Sequence, residues 1–583
     1  MAVGTEETDF GYRSTMIFKD IIGIDFGTTN SKMAYMLLDE PVVIENDLGR
    51  RITPSVVYFK NEKEFTVGEL AKHNQIIHPD KVVSSIKREM GTEYKKQVGR
   101  FKFPPEYIGA LIFQKLIADA RQRIGKTFFD AVVSVPANYS DSQRQAIMDA
   151  AEIAGVNIIR MINEPTAAAL AYGIREDRDR RVLVYDFGGG TFDVSILSVT
   201  SGFFDVDAST GEHRLGGDDM DERIIEHITK ALKKELGKGA KIDPGLQATL
   251  KEAAEEAKIA LSTEESTTIT IPFVAQGRPP FTMQLTQATF ESLIQDLIDR
   301  TRVPMEQALE DAGLGKDEID DILLVGGTTL IPAIRRFVTD FFGKEPLAGD
   351  PYTAVAEGAA IAGSTYISEK SRIAKNIEIS DVISSSLGVE IADGTLSKVI
   401  ERNTKIPISR SRLYTNFMGH IPEVIIPVYQ GDDEMASDNE FLGSFYISIE
   451  PMPAGENKIE VTFEIGEEFG ILNVRAYDID SGNQRTVKFE SRSRLSKKEK
   501  SKWMKKLVGK GSVHATIVDV SGKTNLDMYL NPVTSIESLK CELIDRGIMN
   551  DSDVILIDGK QPEDNMRVSD LDLEDGCEIS IGE

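Results

Sequence analysis

A short pattern that occurs twice limits the fold of this chain more than any other feature of its sequence. An apolar run ends in Asp25 and a turn of small residues, and the same arrangement returns 161 residues later at Asp186. Each copy continues into a second apolar segment, over residues 31–38 and 192–199. Each copy therefore predicts a β-hairpin with an aspartate at the end of its first strand. Two similar halves that face each other would form a cleft.

A third strand and several helical patterns complete this region. Residues 322–325 read as a buried strand that runs into a Gly-Gly turn, and residues 141–154 and 218–236 have the apolar spacing of helices. Strands and helices that alternate in this way are typical of α/β folds. The chain is therefore predicted to be α/β up to about residue 370.

The sequence changes character after about residue 384. Alternating runs such as residues 458–465 and 471–477 predict antiparallel β-hairpins. Ser496 and Glu499 form an S-x-x-E capping box, which predicts a short helix that ends near Val508. The predicted segments are a disordered leader (1–15), a two-lobed α/β domain (16–370), a linker (371–383), an antiparallel β domain (384–492), a short basic helix (493–510) and a β-β-α-β-β tail (511–583).

Charge and cysteine content narrow the classes of partner. The formal net charge is −27, and such an excess of negative charge would repel a phosphate backbone or an anionic membrane surface. We therefore expect neither nucleic acid nor a membrane as a partner. Both cysteines, Cys541 and Cys577, lie in the tail, so no disulfide framework supports the bulk of the chain and a cytoplasmic location is expected.

The repeated turn has a chemistry that suits a nucleotide. Small residues after an aspartate expose backbone N–H groups to phosphate oxygens, while the carboxylate can hold a hydrated Mg²⁺. One such turn is weak evidence, because ordinary tight turns look the same. Two copies at matched positions, together with the Gly-Gly-Thr-Thr turn at residues 326–329, predict a nucleotide site in the cleft.

Several motifs resemble those of the seventy-kilodalton heat-shock chaperones of the DnaK type. They are GIDFGTTNS (23–31), NEPTAAA (163–169), DFGGGTFD (186–193), LGGDD (215–219) and VGG (325–327), with NTKIP (403–407) and YQG (429–431) in the β domain. The resemblance covers about residues 17–500. It implies a multidomain protein in which an actin-like ATPase of two lobes is joined by a linker to an antiparallel β-sandwich that clamps an extended apolar peptide.

The resemblance also implies roles for residues in the cleft. Asp25 and Asp186 would hold Mg²⁺ through water with Glu164 nearby, and Lys72 would orient the attacking water. Thr191 and Asp193 would help to position that water. Nucleotide contacts are expected from Gly27, Thr28, Thr29, Asn30, Gly188, Gly189, Gly190, Gly216, Gly217, Glu255, Lys258, Ser262, Gly326, Gly327 and Thr328. The implied cofactors are ATP, ADP and Mg²⁺, with K⁺ as a further ion.

Three departures from the family pattern have consequences. Leu330 stands where most members have an arginine that stacks beside the adenine, and Tyr352 stands where an aspartate is usual. Loss of the guanidinium is expected to weaken nucleotide binding by about 0.5–2 kcal/mol. Between residues 376 and 381, the linker has only Ile377 and Ile379 as aliphatic residues where an unbroken apolar run is usual, so we expect weaker docking and softer coupling between hydrolysis and peptide release.

In the β domain, the resemblance implies that Val424 lines the central peptide pocket and that Ala392 and Phe417 form an arch over the bound backbone. The alternative is that these residues belong to the core. The family also implies a J-domain co-chaperone and a nucleotide exchange factor as partners, in addition to unfolded or extended hydrophobic peptides.

The last segments differ most from the family. One short basic helix stands in place of the long helical lid, and the tail resembles ubiquitin at residues 522–524, 536–540 and 559–564. No diglycine ends the chain, so conjugation is not expected. We interpret the α+β tail as a ubiquitin-like β-grasp module that binds a protein partner, or that docks on the basic helix or the chaperone body as a substitute lid.

The function predicted from these patterns is that of an ATP-dependent chaperone that binds exposed hydrophobic segments under the control of slow ATP hydrolysis. Two alternatives remain open at this point. One is an actin-like or sugar-kinase-like ATPase, against which the β domain and the linker argue. The other is a scaffold or adaptor that is switched by nucleotide with little hydrolysis.

Overall fold

The computed structural model describes most of the chain, and all structural statements below refer to these residues. They are residues 21–125, 130–173, 179–200, 202–212, 214–236, 242–274, 278–347, 349–366, 377–383, 385–466, 471–490 and 495–508, together with parts of 513–582. The predicted leader lies outside the described residues, as do residues 371–376 of the predicted linker and the ends of the basic helix.

The first half of the α/β region begins with the first copy of the repeated hairpin. Its strands are β1 (Ile21–Asp25), β2 (Asn30–Leu37), β3 (Glu40–Ile44), β4 (Thr53–Pro54), β5 (Val57–Phe59), β6 (Phe65–Val67), β7 (Val82–Val83), β8 (Lys96–Val98), β9 (Phe101–Phe103), β10 (Asp130–Val135) and β11 (Asn157–Asn163). Its helices are α1 (Glu69–Ile77), α2 (Pro105–Ile124), α3 (Asp141–Ile153) and α4 (Glu164–Gly173).

The second half begins with the second copy. Its strands are β12 (Arg180–Phe187), β13 (Phe192–Thr200), β14 (Phe203–Glu212), β15 (Ser266–Ile271), β16 (Phe281–Thr286) and β17 (Asp321–Val325). Its helices are α5 (Gly217–Leu236), α6 (Pro244–Ala260), α7 (Gln287–Arg300), α8 (Arg302–Ala312), α9 (Pro332–Phe342) and α10 (Ala354–Ser364). The predicted helices at 141–154 and 218–236 are confirmed as α3 and α5.

The two halves share one sheet plan. In the first sheet, the order β11-β10-β1-β2-β3 places β1 between parallel β10 and antiparallel β2. In the second sheet, the order β17-β12-β13-β14 places β12 between parallel β17 and antiparallel β13. Because the carboxyl ends of β1 and β12 therefore occupy equivalent positions, the repeated sequence pattern becomes a structural repeat. Separate buried apolar clusters support the two lobes.

The linker forms a short strand on the second sheet. Strand β18 (Glu378–Ser380) pairs in parallel with β14, and Ile377, Ile379 and Val382 pack against the apolar cluster beneath it. Asp381 is buried and accepts a hydrogen bond from Asn163 Nδ2 at 2.8 Å. The linker therefore docks on the ATPase-like region although it is less apolar than the family pattern; the strength of that docking stays a prediction.

The next segment is a sandwich of two antiparallel four-stranded sheets, ordered β20-β19-β22-β23 and β21-β24-β25-β26. Period-two alternation buries one face of each sheet in a shared core that includes Val428, Phe463 and Val474. The strands are β19 (Leu387–Glu390), β20 (Leu396–Ile400), β21 (Ile408–Tyr414), β22 (Glu423–Gln430), β23 (Glu440–Ser448), β24 (Ile459–Ile465), β25 (Ile471–Asp478) and β26 (Gln484–Glu490).

Helix α11 (Lys497–Val508) follows the sandwich. Ser496 and Glu499 form the predicted reciprocal cap: the Glu499 amide donates to Ser496 Oγ at 3.2 Å, and the Ser496 amide donates to Glu499 Oε2 at 2.9 Å. The helix lies against the first lobe, where Trp503 is buried and its ring centroid is 4.9 Å from that of Tyr107.

The described part of the tail is a four-stranded sheet in the order β28-β27-β30-β29, in which β27 and β30 are parallel. Ile536, Leu539 and Leu543 are buried against this sheet. The strands are β27 (Val513–Val518), β28 (Asn525–Leu530), β29 (Val554–Ile557) and β30 (Cys577–Gly582). None of the helices in the described ranges is both long and apolar enough to cross a membrane.

Candidate functional site

Four carboxylates meet where the two hairpins face each other. Asp25 ends β1, Asp186 lies near the end of β12, and Asp193 is the cross-strand neighbour of Asp186 on β13. Glu164 begins α4. All four are buried, so the sequence repeat and the α4 motif converge on one acidic site, as predicted.

Burial makes the negative charge of this site costly. It raises the pKa of Glu164, and it raises the pKa of Asp186 well above its ordinary value, with further increases from Glu164, Asp193 and Asp25. Burial and the neighbouring Glu164 raise the pKa of Asp193 to about 8. Carboxyl groups that disfavour their own ionisation to this degree favour the binding of cations.

Two lysines already supply positive charge here. Lys87, on the short 3₁₀ helix Ile86–Glu89, is buried and donates to Glu164 Oε1 at 2.5 Å. Lys32, on β2, donates to Asp25 Oδ2 at 2.7 Å. Neither lysine was among the predicted site residues.

Lys72, for which the role of orienting the attacking water was predicted, lies outside this set of four carboxylates. Lys72, on α1, forms its ion pair with Glu255 of α6 at 2.8 Å and with none of the four carboxylates. Because α1 and α6 belong to different lobes, this pair bridges the lobes. The ammonium beside the cleft carboxylates belongs to Lys87 instead. The motif around Lys72 gave no information on which lysine the fold would bury.

The predicted phosphate turns come together around Gly188. The Gly217 amide donates to the Gly188 carbonyl at 3.0 Å, and Thr328 Oγ1 donates to the same oxygen at 2.8 Å. Gly326 has a φ of +83°, and a Cβ there would lie 2.4 Å from the Phe187 carbonyl oxygen, so only glycine fits. The turns 188–191, 216–217 and 326–328 therefore form one cradle.

The first hairpin closes the other side of this cradle. Gly27, Thr28 and Thr29 link β1 to β2, and Asn30 begins β2. A Cβ on Gly189 would lie 2.0 Å from Thr29 Oγ1, so the turns of the two copies approach each other closely. The buried Thr29 hydroxyl has no hydrogen-bond partner among the described residues, and it suits a phosphate oxygen.

Arg88 and Ser85 tie the lobes together at this point. Arg88 Nη2 donates to the Gly190 carbonyl at 2.9 Å and forms an ion pair with Asp219 at 3.1 Å. Ser85 Oγ donates to Asp218 Oδ2 at 2.8 Å. The sequence patterns did not predict either residue, because contacts between lobes have no local signature.

The residues predicted for the nucleoside lie on and after α6. Lys258 Nζ donates to the Gly217 carbonyl and to Asp221 Oδ2, both at 2.9 Å, which joins α6 to the phosphate cradle. Ser262 follows the helix and donates to the Lys258 carbonyl at 3.2 Å. Glu255 is occupied by Lys72, as described above.

The donor set fits a nucleotide with a hydrated metal. No group of three or more His, Cys, Asp or Glu side chains in the described ranges is arranged to ligate a metal by itself. A buried set of carboxylates beside a phosphate cradle suits instead a hydrated Mg²⁺ that is shared with phosphate oxygens. Asp25 and Asp186 are the residues that would hold it.

The predicted peptide residues lie on one sheet of the sandwich and its loops. Ala392 and Phe417 are exposed, with Phe417 67% exposed, and Val424 is half-buried at the edge of the core. Exposure of an apolar ring of this size argues against the alternative that Phe417 is a core residue.

Comparison with known proteins agrees with this arrangement. The family model for Hsp70 protein matches residues 21–101 and 95–516. The chaperone protein DnaK of Thermotoga neapolitana is 44% identical over 487 residues, which are 82% of each chain. The DnaK proteins of Thermotoga petrophila and Thermotoga maritima have the same identity and coverage.

The chain belongs to the Hsp70 family. It is accordingly an ATP-dependent molecular chaperone and an ATPase that uses ATP and ADP with Mg²⁺. Chaperones of this family bind unfolded peptides and work with J-domain proteins and nucleotide exchange factors. The two-lobed region and the β-sandwich of this Hsp70 chain are the ATPase and peptide-binding parts that the family implies.

Proposed function

We propose that this chain hydrolyses ATP in the cleft between its two hairpins with Lys87 as the catalytic lysine, and that hydrolysis controls peptide binding by the sandwich. The observation that carries the proposal is the position of the Lys87 ammonium. Its side chain is 4% exposed and is held by Glu164 within the set of four carboxylates. Lys72 is tied to Glu255 between the lobes.

The chain's own residues would divide the work in the following way. Bound Mg²⁺ would neutralise charge on the β- and γ-phosphates. Asp25 and Asp186 would hold the ion through water, and Glu164 fixes Lys87. A fixed ammonium can orient the attacking water and stabilise the charge that develops on the transferred phosphoryl group. Thr191 and Asp193 help to hold that water.

A matched pair of substitutions tests this assignment. We expect Lys87→Met to lower single-turnover ATP hydrolysis by about 100-fold or more, because it removes a preorganised charge. Lys72→Met should retain the rate within a few fold. Calorimetry with ATP and Mg²⁺ checks that both variants still bind nucleotide. Loss of the rate in Lys72→Met alone would return the catalytic role to Lys72.

The sandwich is proposed to bind extended apolar segments through Val424, Ala392 and Phe417. In support, β22 alternates so that Val424 faces the side of the core while its neighbour Ile425 is 67% exposed on the opposite face. The exposed Phe417 and Met418 lie in the loop that precedes this strand. The exposed Phe417 and Met418, next to the half-buried Val424, would form an apolar surface that suits an aliphatic side chain of a client peptide.

We further propose that residues 511–583 form a ubiquitin-like binding module in place of most of the usual lid. The strand order β28-β27-β30-β29 with a central parallel pair supports this proposal, as do the buried positions Ile536, Leu539 and Leu543. Lys500 of α11 is already paired with Asp149 and Glu152 of the ATPase. This favours an external protein partner for the acidic tail over docking on the basic helix.

Three further points stay predictions. The segment boundaries given above describe the proposed domain organisation, and a cytoplasmic location remains the expectation from the cysteine content. K⁺ remains a predicted second ion. Replacement of K⁺ by a large organic cation in the nucleotide-binding assay tests it.

A further inference from the structure

The backbone fixes the position of Lys32 in the cleft. Strands β1 and β2 are antiparallel, and their register places Lys32 directly opposite Asp25. Directly opposed side chains on one face of a sheet lie within contact distance. The Lys32 and Asp25 side chains are 12% and 7% exposed, and their ion pair measures 2.7 Å. The pair therefore follows from the hairpin itself and lies out of bulk water.

The second copy of the repeat provides an internal comparison. There the residue directly opposite Asp186 is Asp193, so the position equivalent to Lys32 holds a carboxylate. One hairpin thus presents an ion pair to the cleft, and the other presents two carboxylates. The lysine is a feature of this site that the fold of the hairpin does not require.

Lys32 also acts on the rest of the acidic site. It lowers the pKa of Glu164 and of Asp186 against the larger, opposing effect of their burial. Together with Lys87, it halves the formal charge of the four carboxylates. An ammonium is a compact point charge with three donors, and within the described residues only Asp25 accepts from that of Lys32. The remaining donors are available to a phosphate oxygen.

We propose that the Lys32 ammonium is a built-in cation of the nucleotide cleft, which supplies beside Asp25 the positive charge that an inorganic cation would otherwise supply. This inference rests on the proposed nucleotide site. It has two consequences. Nucleotide binding depends less on Mg²⁺ and K⁺ than it would without the lysine, and a metal ion alone binds the empty cleft weakly because Lys32 already occupies one oxygen of Asp25.

Removal of the charge tests the first consequence in the full-length protein. ADP affinity is measured by calorimetry in Mg²⁺ or EDTA, each with K⁺ or N-methylglucamine. In EDTA and N-methylglucamine, we expect Lys32→Met to lose about 10-fold or more affinity relative to wild type. Added K⁺ or Mg²⁺ should restore most of that loss. Lys60→Met, which removes an exposed lysine paired with Glu64, should behave as wild type.

Metal binding without nucleotide provides a second readout. The free Mn²⁺ signal in electron paramagnetic resonance titrations should show tighter Mn²⁺ binding to Lys32→Met than to wild type, by several fold. Lys32→Gln keeps a donor to Asp25 but removes the charge. It should follow Lys32→Met in both experiments, and it serves in its place if the methionine variant does not fold.

The outcomes separate this inference from the proposed function. If all variants bind nucleotide with the same ion dependence as wild type and bind Mn²⁺ with the same affinity, Lys32–Asp25 is only a structural ion pair. This result would overturn the inference. Failure of wild type and variants alike to bind ADP in Mg²⁺ would overturn the nucleotide site itself, and the inference with it.

Discussion

At the scale of single residues, the edge of the cleft holds two of the departures predicted from the sequence, Leu330 and Tyr352. Leu330 ends the 3₁₀ turn Gly327–Leu330 and is 40% exposed. Tyr352 packs on the same turn: a Cβ on Gly327 would lie 3.0 Å from its Cε1. The leucine offers neither a positive charge nor a flat guanidinium to an adenine ring. We expect a weaker hold on the nucleoside from this difference.

We therefore predict that Leu330→Arg tightens binding of ADP in Mg²⁺ by about 0.5–2 kcal/mol, because a guanidinium gains a stacking interaction with the base. Calorimetry measures this change directly. Leu347→Arg introduces the same charge at another exposed leucine, 42% exposed, and should leave the affinity unchanged. Equal affinities for wild type and Leu330→Arg would show that Leu330 does not border the base.

The site residues differ in how far sequence could reveal them. Asp25 and Asp186 were predictable because each lies at or next to the end of a strand of a repeated hairpin, and hairpin geometry is local. Lys32 was also accessible in principle: it follows Asp25 by seven residues, as Asp193 follows Asp186. Lys87 was not predictable, because its burial depends on how a single turn docks against α4. The pairing of Lys72 with Glu255 was not predictable for the same reason, because it depends on how the two lobes meet.

At the scale of elements, the features within helix α11 were predictable from the sequence, but its packing on the rest of the protein was not. Its start at the Ser496–Glu499 cap and its apolar pair Trp503 and Leu507 were predictable, since both are contained within the helix. The surface that the helix covers was not predictable from the sequence. Trp503 packs against the stacked rings of Phe103 and Tyr107 of the first lobe, and Lys500 reaches Asp149 and Glu152 of α3. The helix is therefore joined to the ATPase in this structure.

Trp503 is the only tryptophan in the chain, so its fluorescence reports on this contact. We predict that Lys500→Ala shifts the emission to longer wavelength and increases quenching by acrylamide. The substitution removes charge-assisted hydrogen bonds that contribute about 1.5–3 kcal/mol and leaves the buried Asp149 without its ammonium. The docked helix should then detach more often.

Lys498→Ala is the matched control for this experiment. Lys498 is exposed two residues after the capping residue Ser496, and its removal should change neither the emission nor the quenching. Identical spectra for Lys500→Ala and wild type would mean that the aromatic contacts alone hold α11.

At the scale of the whole molecule, the sandwich docks on the second lobe through a small polar contact. Asp311 of α8 accepts from Arg402 Nη2 and from Asn403 Nδ2, each at 2.9 Å. Asn403 Oδ1 accepts in turn from the Ser209 amide at 3.1 Å, and Lys405 pairs with Asp205. The NTKIP motif predicted a sandwich but not this contact, because no pattern within one domain specifies the surface of another.

This contact joins the sandwich to the ATPase in addition to strand β18, and we expect it to carry part of the coupling between the peptide and nucleotide sites. We predict that Asp311→Ala lowers the ratio of peptide-stimulated to basal ATPase rate toward one, while the basal rate changes little. The loss of one charge-assisted pair and one hydrogen bond corresponds to about 1.5–3 kcal/mol of docking free energy. Coupling between the two sites through this contact cannot exceed the free-energy difference that the contact provides.

Asp317→Ala removes an exposed carboxylate from the same lobe and should retain full stimulation. Unchanged stimulation in Asp311→Ala would assign the coupling to the docked linker, where the buried Asp381 meets Asn163.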